Sequence, residues 1–177
     1  MDIFWEELTS GLPDTRQLVR VMIRLMAATL LGAIVGIERE RAGKPAGLRM
    51  HILVSLGTTV FVLACSSVGM SSEGVSRVIQ GIATGIGFIG AGSILKLNEE
   101  RDIQGLTTAA GIWMTAAVGV AVGLGSLGVA LLSTLLTLLI LAAVGSLEYQ
   151  ISKGRAARAE DSHQQAGAQN DDDGGTA

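Results

Sequence analysis

Charge is what this sequence most conspicuously lacks. No Asp, Glu, Lys or Arg occurs from Met50 to Ser72, and none from Ile103 to Leu147. A soluble domain scatters its charges along the chain to keep every exposed face hydrated, so two such runs argue against one. The second run is 45 residues long. As one helix it would extend about 67 Å at ~1.5 Å per residue, roughly twice a hydrocarbon core of ~30 Å. It must therefore fold back once.

Cysteine is almost absent too. The single Cys65 lies among apolar residues, which excludes a disulfide framework and a cysteine-based metal site and leaves a small buried hydrophobe. A cleavable signal peptide is not expected, because the first 17 residues are acidic and hold Trp5 and Pro13 where a signal needs a basic start and an apolar run. Enzyme motifs are missing: there is no H-E-x-x-H, no P-loop and no credible Ser-His-Asp set, so the chain is expected not to be an enzyme. Gly85-x-Gly87-x-x-Gly90 matches a dinucleotide fingerprint, but that motif works between a strand and a helix, and here it sits in an apolar run.

What is present is apolar sequence of membrane-spanning length. The expected fold is an all-α integral membrane bundle of five helices, over about residues 18–37, 50–68, 78–95, 105–124 and 127–147. Residues 1–17 form an extracytoplasmic segment, 18–148 the transmembrane domain and 149–177 a polar tail too poor in apolar residues to fold alone. The closely spaced glycines of Gly123-Leu-Gly-Ser-Leu-Gly128 supply the fold-back of the long uncharged run. Lys and Arg number nine on the side of the first loop, the third loop and the C-terminal flank, against four on the other. The positive-inside rule then puts the C-terminus in the cytoplasm and the N-terminus outside.

Glycine is abundant, with 24 residues concentrated in and around the helices. Gly32-x-x-x-Gly36, Gly81-x-x-x-Gly85 and Gly119-x-x-x-Gly123 set small residues on one face, which lets backbones approach closely and is compatible with a homodimer. The run Gly85, Gly87, Gly90 and Gly92 has two readings. One is a tightly packed central helix; the other is a broken segment whose carbonyls line a cavity.

The polar residues that need an explanation gather at the membrane borders. Arg24 sits about a turn inside the first helix, where it either snorkels to headgroups or faces the bundle and pairs with an acidic or polar group. Glu38-Arg39-Glu40-Arg41 follows that helix as a solvated run or as a carboxylate projecting inward, with Arg49, Arg24 and Lys44 as candidate partners of Glu38. Arg49 and His51 open the second helix. Thr107 and Thr108 open the fourth, able to bond back to helix carbonyls or across to a neighbour. Glu38, Glu40 and Asp102 make a weak hard-cation set among nearby bases, so the metal assignment stays unknown.

The order Gly32-Ala-Ile-Val-Gly36-Ile-Glu38-Arg39-Glu40, Ala46-Gly47-Leu48-Arg49-Met50-His51, Gly85-Ile-Gly87-Phe88-Ile89-Gly90-Ala91-Gly92 and Gly105-Leu106-Thr107-Thr108-Ala109-Ala110-Gly-Ile-Trp113 resembles the MgtC/SapB family of bacterial inner-membrane proteins over about residues 20–148. The family commonly has Thr where Met50 stands. The resemblance implies a multi-pass inner-membrane protein of cation homeostasis. The family is named for magnesium transport, while its better-studied virulence members act as regulators, tied to growth in low magnesium and to restraint of ATP synthase. Those members carry a folded cytosolic C-terminal domain where this chain has its polar tail. The resemblance carries over Glu38, Arg39, Glu40, Arg49, His51, Thr107 and Thr108 as site candidates. Two functions follow as expectations: regulation of another membrane complex, or transport of magnesium or another small cation. No cofactor is implied, magnesium being a candidate ligand or signal. The lipid bilayer is the expected partner and nucleic acid is not.

Overall fold

The computed structural model describes residues 14–96 and 103–143. The expected N-terminal segment lies almost wholly outside these residues, as do the polar tail and Asp102. The first compact unit ends at Leu138 and a second begins at Leu139.

The helices start and stop where local chemistry directs. Helix α1 covers Thr15–Arg41, and Asp14 caps it by accepting a hydrogen bond from the Thr15 amide at 2.8 Å. Arg39 and Arg41 occupy its last turn, where cations suit the negative end of the helix dipole. Helix α2, Leu48–Ser67, begins after the Pro45-Ala46-Gly47 break. Its cap residue, Gly47, has no side chain, and Glu40 supplies the missing acceptor, its Oε2 receiving the Leu48 amide at 2.9 Å. Helix α3, Ser72–Gly92, is capped by Ser71, whose hydroxyl accepts from the Gly74 amide. A two-residue antiparallel ladder follows, β1 (Leu95–Lys96) against β2 (Ile103–Gln104), with Leu95 opposite Gln104 and Lys96 opposite Ile103. Helix α4 is Leu106–Leu124 and helix α5 is Leu127–Ala143. Between them Gly125 has φ +87°, a left-handed conformation open to glycine at little cost, and this is the turn that the long uncharged run required.

Helices α1, α2 and α4 are long and apolar enough to cross a membrane. Helix α5 is apolar but has 17 described residues. Helix α3 has adequate length, but Glu73, Arg77, Gln80 and its glycines dilute its apolar content. The all-helical architecture of five long helices is as expected, whereas three helices, not five, meet the length and apolarity of a span among the described residues.

Contacts between α1, α2, α3 and α4 set their directions. Gly36 abuts Leu48 and Gly32 abuts His51, so α1 and α2 run antiparallel. Gly111 lies by His51, Gly119 by Ser55 and Gly123 by Val62, so α2 and α4 run parallel. Gly90 meets Ala109, near the beginning of α4, so α3 runs against α4. Two apolar clusters form the core. Ala28 and Leu31 of α1 pack with Val118 and Val122 of α4 and Ala130 of α5. Val54 of α2 packs with Ile86 of α3 and Ile112 and Ala116 of α4, with Ala46 alongside. Helix α4 belongs to both clusters and is the central helix.

The glycine run of α3 lies in an unbroken helix. The helix is continuous and peripheral. It turns Ile82 and Ile86 toward the core, while a Cβ at Gly81, Gly85, Gly87 or Gly92 would meet nothing within 4 Å. Of that run only Gly90 has a neighbour: a Cβ there would lie 3.5 Å from the Ala109 Cβ. The branched side chains gain more from burial than hydrogen does, so they take the core and leave the glycines outside.

Candidate functional site

A buried polar seam runs between α1, α2 and α4, and it assembles because glycine lets these backbones touch. A Cβ at Gly32 would lie 2.7 Å from the His51 carbonyl oxygen, and one at Gly36 would lie 2.7 Å from the Leu48 Cα. On the opposite side of α2, a Cβ at Gly119 would collide with the Ser55 carbonyl and the Thr58 hydroxyl. These approaches press α2 between two neighbours and bury its polar side chains: His51, Ser55 and Thr59 are each 0% exposed.

Hydrogen bonds within the seam join α2 to α4. The Thr115 hydroxyl donates to the Gly111 carbonyl at 2.9 Å, which commits its only proton. Its oxygen also lies within hydrogen-bond distance of His51 Nδ1, at 2.7 Å. His51 Nε2 is buried with no partner of hydrogen-bond geometry, although the Ala46 carbonyl lies near the ring. Ser55 Oγ and Thr108 Oγ1 are likewise buried and unpartnered. Thr59 shares its proton between the Ser55 carbonyl at 2.8 Å and the Gly119 carbonyl at 2.7 Å, linking α2 to α4.

The charged candidates separate around this seam. Arg39 is 3% exposed, and Glu38 grips it in a two-pronged pair, with Nη2 donating to Oε1 at 2.8 Å and Nε to Oε2. The buried member of the Glu38-Arg39-Glu40-Arg41 run is thus the arginine. Helix geometry explains why: Arg39 stands four residues after Val35 and three after Gly36, on the packed face, whereas positions two apart do not share a face. Glu38 lies at the flank of the core, beside Arg39, instead of continuing the Gly32 and Gly36 face. Glu40 is exposed and caps α2. Arg49 and Thr107 are exposed, and neither joins the seam. Glu38 and Glu40 each have a task within the fold, and no group of three His, Cys, Asp or Glu able to hold a metal occurs among the described residues.

Arg24 lies far from all of these. Its Nη1 donates to the Gly123 carbonyl at 2.7 Å, and the guanidinium rests against Gly125. It faces the bundle, and its partner is a free carbonyl at the negative end of α4. Of the residues in the seam, Ser55, Thr59 and Thr115 were missed by attention to the membrane borders. Their signal was in the sequence: His51, Ser55 and Thr59 recur every four residues inside the charge-free run that begins at Met50, which marks one polar stripe.

Residues 25–150 match the MgtC family, a stretch that contains every motif of the first loop and of α4. The chain is 42% identical over 136 residues to protein SrpB of Synechococcus elongatus, covering 71% of this chain and 75% of that one. It is 39% identical over 140 residues to YhiD of Escherichia coli K12, whose name marks it as a candidate magnesium transporter, covering 73% of this chain and 63% of YhiD. It is 43% identical over 117 residues to protein MgtC of Salmonella typhimurium LT2, covering 66% of this chain and about half of MgtC, 49%. No solved structure matches the chain. Matched over most of its described length and carrying the motifs in order, the chain belongs to the MgtC family.

Proposed function

We propose that this protein is a multi-pass protein of the bacterial inner membrane that acts in magnesium or other cation homeostasis by modulating another membrane complex. The magnesium link rests on family membership and on the name of YhiD. The regulatory role rests on how the molecule uses its glycines. Those of α1 and α4 are closed against α2, and the polar side chains between these helices bond largely to one another and to helix carbonyls. Gly81, Gly85, Gly87 and Gly92 of α3 instead stay bare on the helix that carries Phe88, which is 83% exposed. A rigid core with a smooth outward helix suits a protein that presses on a neighbouring helix, since small residues allow close backbone approach in lipid.

Transport is the competing reading, favoured by the YhiD name. Two measurements separate them. Co-purification at native abundance should retain a membrane partner, and Gly81→Leu or Gly85→Leu should release it while leaving the fold intact. Magnesium uptake by proteoliposomes should not exceed that of empty vesicles. Uptake well above that background, unaffected by Gly81→Leu, would establish the transporter instead.

A further inference from the structure

A second polar feature lies outside the seam. Where α1 ends, a groove of about 590 Å³ opens to the side of the bundle, lined by Ile34, Ile37, Glu38, Arg41, Ala42 and Leu138. This is a size that takes lipid-like or cofactor-sized molecules. Its lining is apolar except for one carboxylate, Glu38, and one guanidinium, Arg41. Ile37 is the last residue of the apolar part of α1, so the groove crosses from hydrocarbon to headgroup depth if α1 spans the membrane.

The two charges are not equivalent. Glu38 is bound by Arg39 on both oxygens, yet a carboxylate offers about four acceptor positions and Arg39 uses two. Its side chain keeps 25% exposure. Arg41 is exposed and takes no carboxylate partner among the described residues. Glu38 and Arg41 are three residues apart, hence neighbours on one face of the helix. The side chains of α1 also tilt toward its N-terminus, back toward the apolar part of the helix.

We propose that this groove binds a glycerophospholipid with a primary-amine headgroup. The phosphodiester sits on Arg41, the ammonium donates to the open lone pairs of Glu38, and an acyl chain lies along Ile34, Ile37 and Leu138. A free phosphate would leave the apolar lining of the groove unfilled. The glycerol headgroup of an anionic phosphatidylglycerol brings no positive charge to Glu38. A trimethylated amine has no N–H to donate. The zwitterion with a primary amine satisfies every group in the groove.

The test uses the whole protein in a mild detergent doped with equal amounts of dioleoyl phosphatidylethanolamine, phosphatidylcholine and phosphatidylglycerol, with retained lipid read by native mass spectrometry. Phosphatidylethanolamine should be retained at least tenfold over the other two. Arg41→Gln, at an exposed position, should abolish that preference, and Ile37→Trp, which fills the groove, should abolish it independently. Arg77→Gln on α3 should change nothing. Equal retention of the three lipids, preference for the anionic one, or a preference that survives both variants would each overturn the proposal; survival is also what occupancy by a second copy or by the chain's own C-terminal residues would produce.

Discussion

Helices α3 and α4 carry glycine at the same four-residue spacing and use it in opposite ways. In α4, Gly119 and Gly123 mark where α2 comes closest: an added Cβ would strike the Ser55 carbonyl at the first and lie 2.7 Å from the Val62 Cβ at the second. In α3, Gly81 and Gly85 have open space around them. The ion pairs of α1 and α3 differ in the same sense. Glu38 and Arg39 pair at the edge of the core with the arginine almost fully buried, while Glu73 and Arg77 pair at 2.6 Å on α3 with both side chains about three-quarters exposed. The same sequence pattern is therefore structural glue in one helix and free surface in the other, and the neighbour makes the difference.

That contrast can be broken by measurement, most forcefully at the two ion pairs. Glu38→Ala would leave the buried Arg39 guanidinium unpaired and should lower stability by about 3 kcal/mol. Glu73→Ala removes an exposed pair and should cost only about 0.3 kcal/mol. Reversible unfolding in mixed micelles reads both, and similar losses would mean that Arg39 is not buried as described.

The glycines come next. Gly119→Ala forces a methyl group onto the α2 backbone, which cannot swing aside, and should destabilise by about 2 kcal/mol. Gly85→Ala adds its methyl in open space and should be neutral or stabilise by up to ~1 kcal/mol through better helix propensity. A Gly85→Ala loss as large as that of Gly119→Ala in the isolated protein would place α3 in the core.

The arginines that end in the helical part of the bundle should differ by less. Arg24→Gln loses a charged hydrogen bond to the end of α4 and should cost about 1 kcal/mol. Arg77→Gln should cost no more than ~0.5 kcal/mol. Thermal melting of the two variants side by side checks the order, and a larger loss at Arg77 would reverse it. The smallest contrast lies between adjacent threonines. Thr108→Val replaces a buried, unpartnered hydroxyl and should be neutral to slightly stabilising, whereas the exposed Thr107→Val should shift the melting point hardly at all. A clear loss at Thr108 would show that its hydroxyl has a partner after all.

Much of the fold was legible because it follows from local rules. Charge-free runs of spanning length indicated the helices, and Pro45 with Gly47 indicated the break before α2. The glycine cluster around Gly125 indicated the last turn. At the candidate site, His51 and Thr108 were singled out by type and position, and both are in the buried seam. The sequence did not disclose that Arg39, and not Glu38, is the buried charge. That depends on which side of α1 meets α2, and the four charges in a row are compatible with any rotation of the helix.

The sequence alone determined that this is a helical, apolar chain with the motifs of one family, because helix length, capping and apolar content are properties of consecutive residues. Only the tertiary structure decided which glycines are contacts and which are surface. It also brought Arg24 to Gly123, 99 positions away, set Thr115 against His51 across 64 residues, and made Glu40 the cap of a helix it does not belong to. Those pairings need two helices at a particular separation and rotation, and that geometry is fixed by packing among all of them at once.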